Sequence, residues 1–470
     1  MSIAVKQNVI KAYNIRGVSN LKEFKYLIAC INEVLSTSEI NSMARKSGFV
    51  KIKSTLTGLD FIKLMFENNA HAHGLTLNQL TGKLEALYGK AISKQGLDQR
   101  FSEKSYKFVK GVFETFMQRM LAKQTQLGTT SVQKFIRVRI KDGTRFELPD
   151  DYACYLKGFG GGSASSSAAG IQLEYDLKTG QMLDINLHDG CNSDSKYCRL
   201  LPQEIEENDL ILRDLGYFLL DNIATIQKQK AYIISKLNAK TQVFTFEKDT
   251  HTLINFGEIY EQMNALKINQ KEIQVYVGAK HKLKMRLVLQ LVPDQLYEQR
   301  LRTANKTNKK KGYKTSDEQK MRMRFNLFIT NIEEDKADIN AILDIYKLRW
   351  QVELQFKEWK STYLINKVSH VKYYRWITQW YARLLEMLIH LQVTFTLKHV
   401  TFIKSKKLIS TIKCLRTLHE HHTKILSMVA ESENKIRTTL SEWIKILNKK
   451  HLLEKKKEGV KTEEIMGLIY

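Results

Sequence analysis

Proline is almost absent, three in 470 residues, which argues against long disordered linkers. Cysteine is nearly as scarce. Cys30, Cys154, Cys191, Cys198 and Cys414 are scattered and odd in number. A disulfide framework is therefore a poor fit, and a reduced, cytosolic compartment a better one. Long uncharged apolar runs are missing too. Met1 to Arg16 is interrupted by Lys6, Lys11 and Arg16 and does not read as a secretory segment. The most apolar stretch, Trp376 to Val400, carries Arg383, Glu386, His390 and Lys398. It reads as a buried helix rather than a membrane span. Negative charge is the last deficit. Lys and Arg number 75 against 49 Asp and Glu, a formal net charge of +26. Such a surplus points to a polyanion, nucleic acid first and an anionic membrane surface second. The charge is spread along the chain, which suits a long path over folded surfaces rather than one tethering arm.

What is present is enough for several cores. With 470 residues and 43% hydrophobic content, two to four domains are expected. Residues 1 to about 125 read as helical. Leu56-Thr-Gly-Leu-Asp60 leads into an apolar helix through Phe61, Leu64 and Met65. Thr76 opens a helix to about Tyr88, and Gly89 turns the chain. Ser93 can cap a short helix ending near Phe101. Ser102 can cap a long one, with Tyr106, Val109, Phe113, Phe116 and Met120 on its apolar side. Lys90, Lys94, Arg100, Lys104, Lys107 and Lys110 decorate the turn and outer faces. This resembles a helix-turn-helix unit, whose second helix enters a DNA groove. An ordinary helical bundle with a basic surface has the same pattern.

From about residue 132 the period changes. Ile136, Val138 and Ile140 share one parity and mark a strand from Val132 to Ile140. Lys141-Asp142-Gly143-Thr144 ends it with a turn. Gly158 to Gly170 is a flexible loop without the Lys-Ser/Thr ending of a phosphate-binding loop. Ile171 to Leu177 and Met182 to Leu187, joined by Lys178-Thr-Gly180, read as a hairpin. Leu210 to Arg213 is a short strand ending at Asp214. A helix from about Tyr217 to Lys228 and a strand from Ala231 to Leu237 follow. Val243 to Phe246, Ile273 to Val277 and Met285 to Leu291 do not alternate with long helices and read as an inserted β unit. Arg302 to Lys314, with Lys309-Lys310-Lys311 and Tyr313, reads as an exposed basic loop able to contact a nucleic-acid backbone. Phe325 to Thr330 resumes an apolar strand, a helix starts near Ala337, and residues 362 to 470 are helical and increasingly Lys-rich.

One stretch carries the chemistry. Tyr346, Arg349, Glu353 and Lys360 follow at offsets of three, four and seven residues. On one continuous helix they fall within a roughly 60° arc. An acid is thereby framed by a phenol, a guanidinium and an ammonium. Alone, the pattern also suits a solvated helix face with ion pairs. Two further acids, Asp142 and Asp214, end strands. Phosphoryl transfer by two divalent cations needs such carboxylates to converge from distant parts of the chain. Acids on a strand, a strand and a helix suit an RNase H-like fold.

Tyr346, Arg349, Glu353 and Lys360 match the Tyr-x2-Arg-x3-Glu-x6-Lys motif of the insertion-sequence-four family of DDE transposases. Asp142-Gly-Thr-Arg-Phe-Glu-Leu-Pro149 resembles that family's first-Asp segment, and Arg213-Asp214-Leu-Gly-Tyr217 its second. The resemblance implies an α/β fold: an RNase H-like mixed-sheet catalytic core at 129–365, interrupted by a β-rich insertion at about 239–318. Helical regions flank it, 1–128 as a DNA-binding domain and 366–470 as a C-terminal region. It implies that Asp142, Asp214 and Glu353 bind two Mg²⁺ or Mn²⁺ ions. The reaction would be cleavage at transposon ends, then DNA strand transfer. Tyr346, Arg349 and Lys360 would contact phosphates. Phe325 falls near where some relatives stack a flipped base on Trp, although a Phe there also suits a core. The helix-turn-helix reading adds Lys94, Arg100 and Lys104 as DNA contacts. The implied partners are double-stranded DNA, as terminal inverted repeats and target, and a second copy of the chain; no membrane is implied. Leu215 stands where many relatives have a basic residue, which puts one DNA contact in doubt and not the metal site. The alternative is a catalytically inactive, transposase-derived DNA-binding protein or transposition inhibitor; three intact acids argue against it.

Other groupings carry less. His188, Cys191 and Cys198 have loose spacing and no evident fourth ligand for zinc. Cys414, His419, His421 and His422 read as a solvated helix face. Asp150, Asp151, Asp189, Asp194 and Asp209 are alternative acids; Asp209, the nearest rival to Asp214, precedes its strand. Trp350 and Trp359 read as residues that pack the motif helix onto the sheet.

Overall fold

The computed structural model describes residues 22–52, 55–71, 74–125, 134–160, 165–198, 205–312, 314–405 and 408–452. Met1 to Arg16, Val132 and Tyr313 lie outside them. Before the first strand come α1 (Lys22–Val34), α2 (Thr37–Lys46), α3 (Gly58–Asn69), α4 (Leu77–Tyr88), α5 (Lys94–Arg100) and α6 (Glu103–Thr125). Thr57 and Thr76 close capping boxes with Asp60 and Gln79, and Ser93 accepts from the Gly96 N–H. At the start of α6 the Ser102 N–H instead donates to Ser105 Oγ at 3.0 Å.

The sheet region runs β1 (Val138–Glu147), β2 (Ala168–Asp176), β3 (Met182–Asp189), α7 (Asp194–Cys198), β4 (Leu210–Arg213), α8 (Leu220–Lys228) and β5 (Tyr232–Lys236). It continues as β6 (Val243–Glu247), β7 (Thr250–Leu253), α9 (Phe256–Ala265), β8 (Gln270–Val277), β9 (Leu283–Leu291), α10 (Asp294–Lys311), α11 (Asp317–Arg322) and β10 (Phe325–Thr330). Then come α12 (Ile339–Lys347), α13 (Gln351–Ser361), α14 (Tyr373–Ser405), α15 (Thr411–Glu420), α16 (Thr423–Leu426) and α17 (Glu433–Lys450).

All these strands form one sheet, in the order β3-β2-β1-β4-β5-β10-β9-β8-β6-β7. β1, β2 and β3 are an antiparallel meander, and β4 and β5 run parallel to β1. That order and sense define an RNase H-like mixed-sheet core. β10 pairs antiparallel with both β5 and β9. The segment expected as an inserted β unit extends the same sheet beyond β10.

The strands divide two environments. Leu210 and Leu212 of β4, Ile234 of β5 and Phe328 of β10 face a core shared with Val352, Phe356 and Trp359 of α13. Their neighbours Ile211, Ile233 and Ile329 face a second core with Ile223 and Ile226 of α8 and Phe256 of α9. The first core continues into the helices. The 33-residue α14 packs against α1, α3, α6 and α15. Helices from both ends of the chain thus share one interior, including Phe61, Phe116, Leu388 and Trp443. The hairpin turn between β2 and β3 docks here too: Gly180, at φ +69°, leaves no room for a Cβ, which would meet Phe395 at 2.2 Å. Among the described residues no helix is long and apolar enough to cross a membrane. The five cysteines are free thiols, with Cys30, Cys198 and Cys414 buried.

Three local expectations are corrected. First, β1 does not turn at Asp142. It continues to Glu147, paired with Ala168, and Asp142 stands mid-strand opposite Leu173. Gly143 is bare for packing reasons: an added Cβ would meet Gln172 Nε2 at 2.6 Å and Asp194 Oδ1 at 3.0 Å. Second, residues 302–311 are not a loop but the latter half of α10, which has no Gly or Pro inside and ends at Gly312 with φ +69°. Third, the motif does not lie on one continuous helix. α12 ends at Lys347, Leu348–Trp350 form a 3₁₀ turn, and α13 starts at Gln351.

Candidate active site

Asp142 belongs to the parity of β1 that faces α13, because Val138 and Ile140 fill the core on that side. Asp214 follows the last residue of β4, whose Leu212 is level with Ile140. Glu353 sits in the first turn of α13, which packs on β1. Sheet pairing and helix packing thus bring three acids from distant segments to the middle of β1 and the C-terminal end of β4.

Arg349 joins them. Its Nη2 lies 3.0 Å from Glu353 Oε1, and its Nη1 lies 3.8 Å from Asp142 Oδ2. Burial works against the guanidinium charge, but Asp214 and then Glu353 hold its pKa above the usual value. Asp142 responds in the opposite sense. Burial pushes its carboxyl up to about 6, helped by the like charges of Glu353 and Asp214. The Gly143 N–H, at 2.8 Å from Oδ1, and Arg349 oppose that rise without cancelling it. One guanidinium against three carboxylates leaves the site short of positive charge.

The other motif residues take different posts. Tyr346 is buried, with its ring edge-on to Phe328 at 4.9 Å. Its hydroxyl donates to the Arg213 carbonyl at 3.3 Å, pinning the corner that leads into Asp214. Burial, then the Asp214 charge, raises its pKa, so it stays a neutral phenol. Lys360 is half-buried and donates to the Arg145 carbonyl at 3.2 Å, three residues along β1 from Asp142. Burial lowers its pKa. Trp359 is buried as expected, but Trp350 is 48% exposed, with Lys357 Nζ 5.2 Å from its ring centre.

Sequence reading missed what lies behind the acids. Arg139, Lys141 and Arg213 emerge on the opposite face of β1 and β4 around the buried Glu174. Glu174 Oε1 accepts from Arg139 Nε at 2.9 Å and Arg213 Nη2 at 2.8 Å. Burial would raise its pKa, but Arg213, Arg139 and Lys141 drive it down to about 2. Asp209, the rival to Asp214, belongs to this network: fully buried, it pairs with Arg137 at 2.6 Å and Arg139 at 3.2 Å. Asp194, another of the alternative acids, lies on this opposite face of β1, where Arg145 meets it at 3.4 Å. It accepts from Gln172 Nε2 at 2.9 Å beside Gly143. Position-by-position reading of alternating charged residues gives no signal for such a network.

Several named residues are not brought to the site. Phe325 is 3% exposed and packs against Phe256 and Tyr260 in the second core, so its face is not open to a base. Lys94 and Lys104 are exposed at the first turns of α5 and α6. Arg100 is half-buried, donates to the Phe49 carbonyl at 3.4 Å and lies over the Phe49 ring. His188 is buried, stacked on Tyr197 at 4.1 Å, and its Nδ1 meets the Asp189 carbonyl.

The three acids offer only carboxylate oxygens, the donor set of a hard divalent cation. Their excess negative charge also fits one. In the arrangement present, Arg349 bridges Asp142 and Glu353. Among the described residues no three His, Cys, Asp or Glu side chains form a ready-made shell for a metal ion.

The sequence profile of the family described as "Transposase DDE domain" matches residues 133–388. The transposase for insertion sequence element IS1151 of Clostridium perfringens is 30% identical over 424 residues, covering 88% of this chain and 89% of that protein. The transposase for IS231F of Bacillus thuringiensis subsp. israelensis is 28% identical over 471 residues, covering 97% of each. Among solved structures, the piggyBac transposase synaptic complex with hairpin DNA aligns with a TM-score of 0.46 at 12% identity, covering 92% of this chain and 87% of that one. The chain belongs to the DDE transposase family.

Proposed function

We propose that this protein cuts double-stranded DNA at transposon ends bearing terminal inverted repeats and joins the freed ends to target DNA. The observation that carries the reading is the gathering of Asp142, Asp214 and Glu353 around Arg349. These three carboxylates would hold two Mg²⁺ or Mn²⁺ ions. Such ions would supply an activated attacking oxygen and charge stabilisation at the leaving oxygen. Arg349 now serves as the cation among the acids. With DNA bound, its planar fork suits a phosphate better than two divergent carboxylates, and its turn towards the DNA would free the acids to draw together. Tyr346 would keep the Asp214 corner fixed through the Arg213 carbonyl. Lys360 would present a fixed positive charge along the same helix. A homodimer in the DNA complex and a role for Lys94, Arg100 and Lys104 in holding DNA belong to the same proposal.

The test is a supercoiled plasmid carrying the terminal repeats. Strand cuts that require Mg²⁺ or Mn²⁺ and vanish in Glu353→Ala, with DNA binding retained, are expected. Binding without any cut, by the unaltered protein in either metal, would favour the second reading. That reading is an inactive, transposase-derived DNA-binding protein, and the pairwise bridging by Arg349 speaks for it.

A further inference from the structure

α10 is a long helix that buries none of its side chains. It gains little from packing, yet it is firmly held. Arg300 donates to the Met323 and Phe325 carbonyls, each at 2.9 Å, and to Asn326 Oδ1 at 2.6 Å. Arg324 is sandwiched between Tyr297 at 4.0 Å and Tyr260 at 4.6 Å. Near the far end, Asn308 donates to Thr315 Oγ1 at 2.8 Å. The half-buried residues Tyr297, Arg300, Leu301, Ala304 and Asn308 define its inner side. Arg302, Lys306 and Lys309 are exposed within a roughly 60° arc on the opposite side, with Lys310 beside them.

The charge on that outer side is largely unanswered. No acid occurs between Gln299 and Ser316. Arg302 meets Glu298 at 3.4 Å, in a pair too exposed to neutralise it firmly. Among the described residues, Lys306, Lys309, Lys310 and Lys311 have no carboxylate partner. The helix dipole accounts for cations in the last turn but not for Arg302 and Lys306 further back. Like charges at i,i+4, as in 302/306 and 306/310, destabilise a helix. A bound polyanion would relieve them.

The sheet fixes where this surface lies. Leu291, which ends β9, pairs with Phe325, which starts β10. β10 is antiparallel to β5, and β5 is parallel to β4. α10 therefore leaves the sheet at the same end as Asp214. The end of β9, from which it starts, is three strands from β4, about 14 Å across the sheet at the usual strand spacing; the basic residues follow along an 18-residue helix of about 27 Å, a span comparable with one duplex turn of about 34 Å.

We propose that the outer face of α10 docks the phosphate backbone of duplex DNA that continues past the acid site. Arg302, Lys306, Lys309 and Lys310 are the contacting residues. The proposal rests on duplex DNA being the substrate. Lys and Arg on phosphates position the duplex without reading its sequence.

The test uses full-length protein and the combined variant Lys306→Gln/Lys309→Gln/Lys310→Gln, with an unchanged melting midpoint as the folding control. Two duplexes are compared: one ends at the reacting phosphate, and one runs two helical turns further. Binding is measured against salt. On the long duplex the variant should lower the slope of log affinity against log salt by about 2 to 3, at roughly 0.9 per phosphate contact. On the short duplex the slopes should agree, and an unrelated extension sequence should behave alike. Equal slopes on the long duplex, or equal losses on both, overturn the proposal. So does an equal slope change on a matched single-stranded RNA, or retention on phosphatidylserine vesicles that the variant alone loses. The readout is binding, so a failure of cleavage in the plasmid assay is a separate result.

Discussion

The two faces of β1 and β4 carry the same residue types to opposite ends. On the face covered by α13, Asp142, Asp214 and Glu353 surround one guanidinium and remain partly open to solvent. On the other face, Glu174 and Asp209 are fully buried among Arg137, Arg139, Lys141 and Arg213. The first set is short of positive charge and the second is saturated with it. Adjacent residues, Asp142 beside Lys141 and Asp214 beside Arg213, belong to different sets because strand geometry alternates side chains between faces. The saturated set holds the strands in place; the unsaturated set is the one proposed above to take divalent cations.

The largest effect expected from breaking this contrast is catalytic. Asp142→Asn keeps the shape and removes the charge. Cleavage of the repeat-bearing plasmid should fall by more than about 100-fold, the upper figure for disturbing even an outer partner of a metal ligand. The melting midpoint at neutral pH should rise, since the ionised carboxyl is disfavoured by burial and by Glu353 and Asp214. A variant that still cuts at the native rate would remove Asp142 from the chemistry.

Glu174→Gln should do the reverse and act on the fold. It leaves Arg139, Lys141 and Arg213 buried without their shared anion, a loss of about 3–5 kcal/mol. Denaturant midpoints at constant m-value measure it. A midpoint like that of the native protein would mean the network is dispensable.

Acid titration sharpens the comparison, because Asp142 and Glu174 titrate with opposite sign. Glu174, held down to about 2, adds stability that is complete above its ordinary value near 4.5 and is lost as pH falls towards 2. Asp142, held up at about 6, binds its proton more readily folded than unfolded. It therefore lowers stability as pH rises from about 4 to 6. Asp142→Asn should stabilise the protein relative to native at pH 7 and not at pH 4. Glu174→Gln should flatten the loss below pH 4.5. The same pH response in both variants would deny the contrast.

These contrasts also show what a linear reading can reach. Asp142, Asp214 and Glu353 were legible because each follows or lies among residues whose periodicity fixes a strand or helix, and because the Tyr346-to-Lys360 spacing is distinctive. The strand continuing through Gly143 was not, since Asp-Gly signals a turn unless a partner strand claims it; here Leu173, Gln172 and Ile171 do. α10 was hidden by its polar composition, because a helix that buries nothing shows no apolar period. The Glu174 network gives no linear signal, because its burial depends on covering elements that only the tertiary fold supplies. The shared interior of Phe61, Phe116, Leu388 and Trp443 joins segments hundreds of residues apart, beyond any local signal.

The smallest effect concerns Phe325, the residue that spacing offered as a base-stacking platform. It lies on the saturated side of the sheet, packed on Phe256 at 6.2 Å and Tyr260 at 6.3 Å between ring centres. Phe325→Leu removes the ring and keeps most of the volume. A core role predicts a stability loss of about 1 kcal/mol, in the range of volume-conserving swaps, with cleavage and end binding unchanged. A stacking role predicts the opposite, because losing an aromatic platform costs roughly 1–3 kcal/mol per base in binding and little in folding. Measuring both quantities on one variant decides between the faces. A drop in end binding with an unmoved melting midpoint would place Phe325 in contact with DNA and require β10 to open on binding.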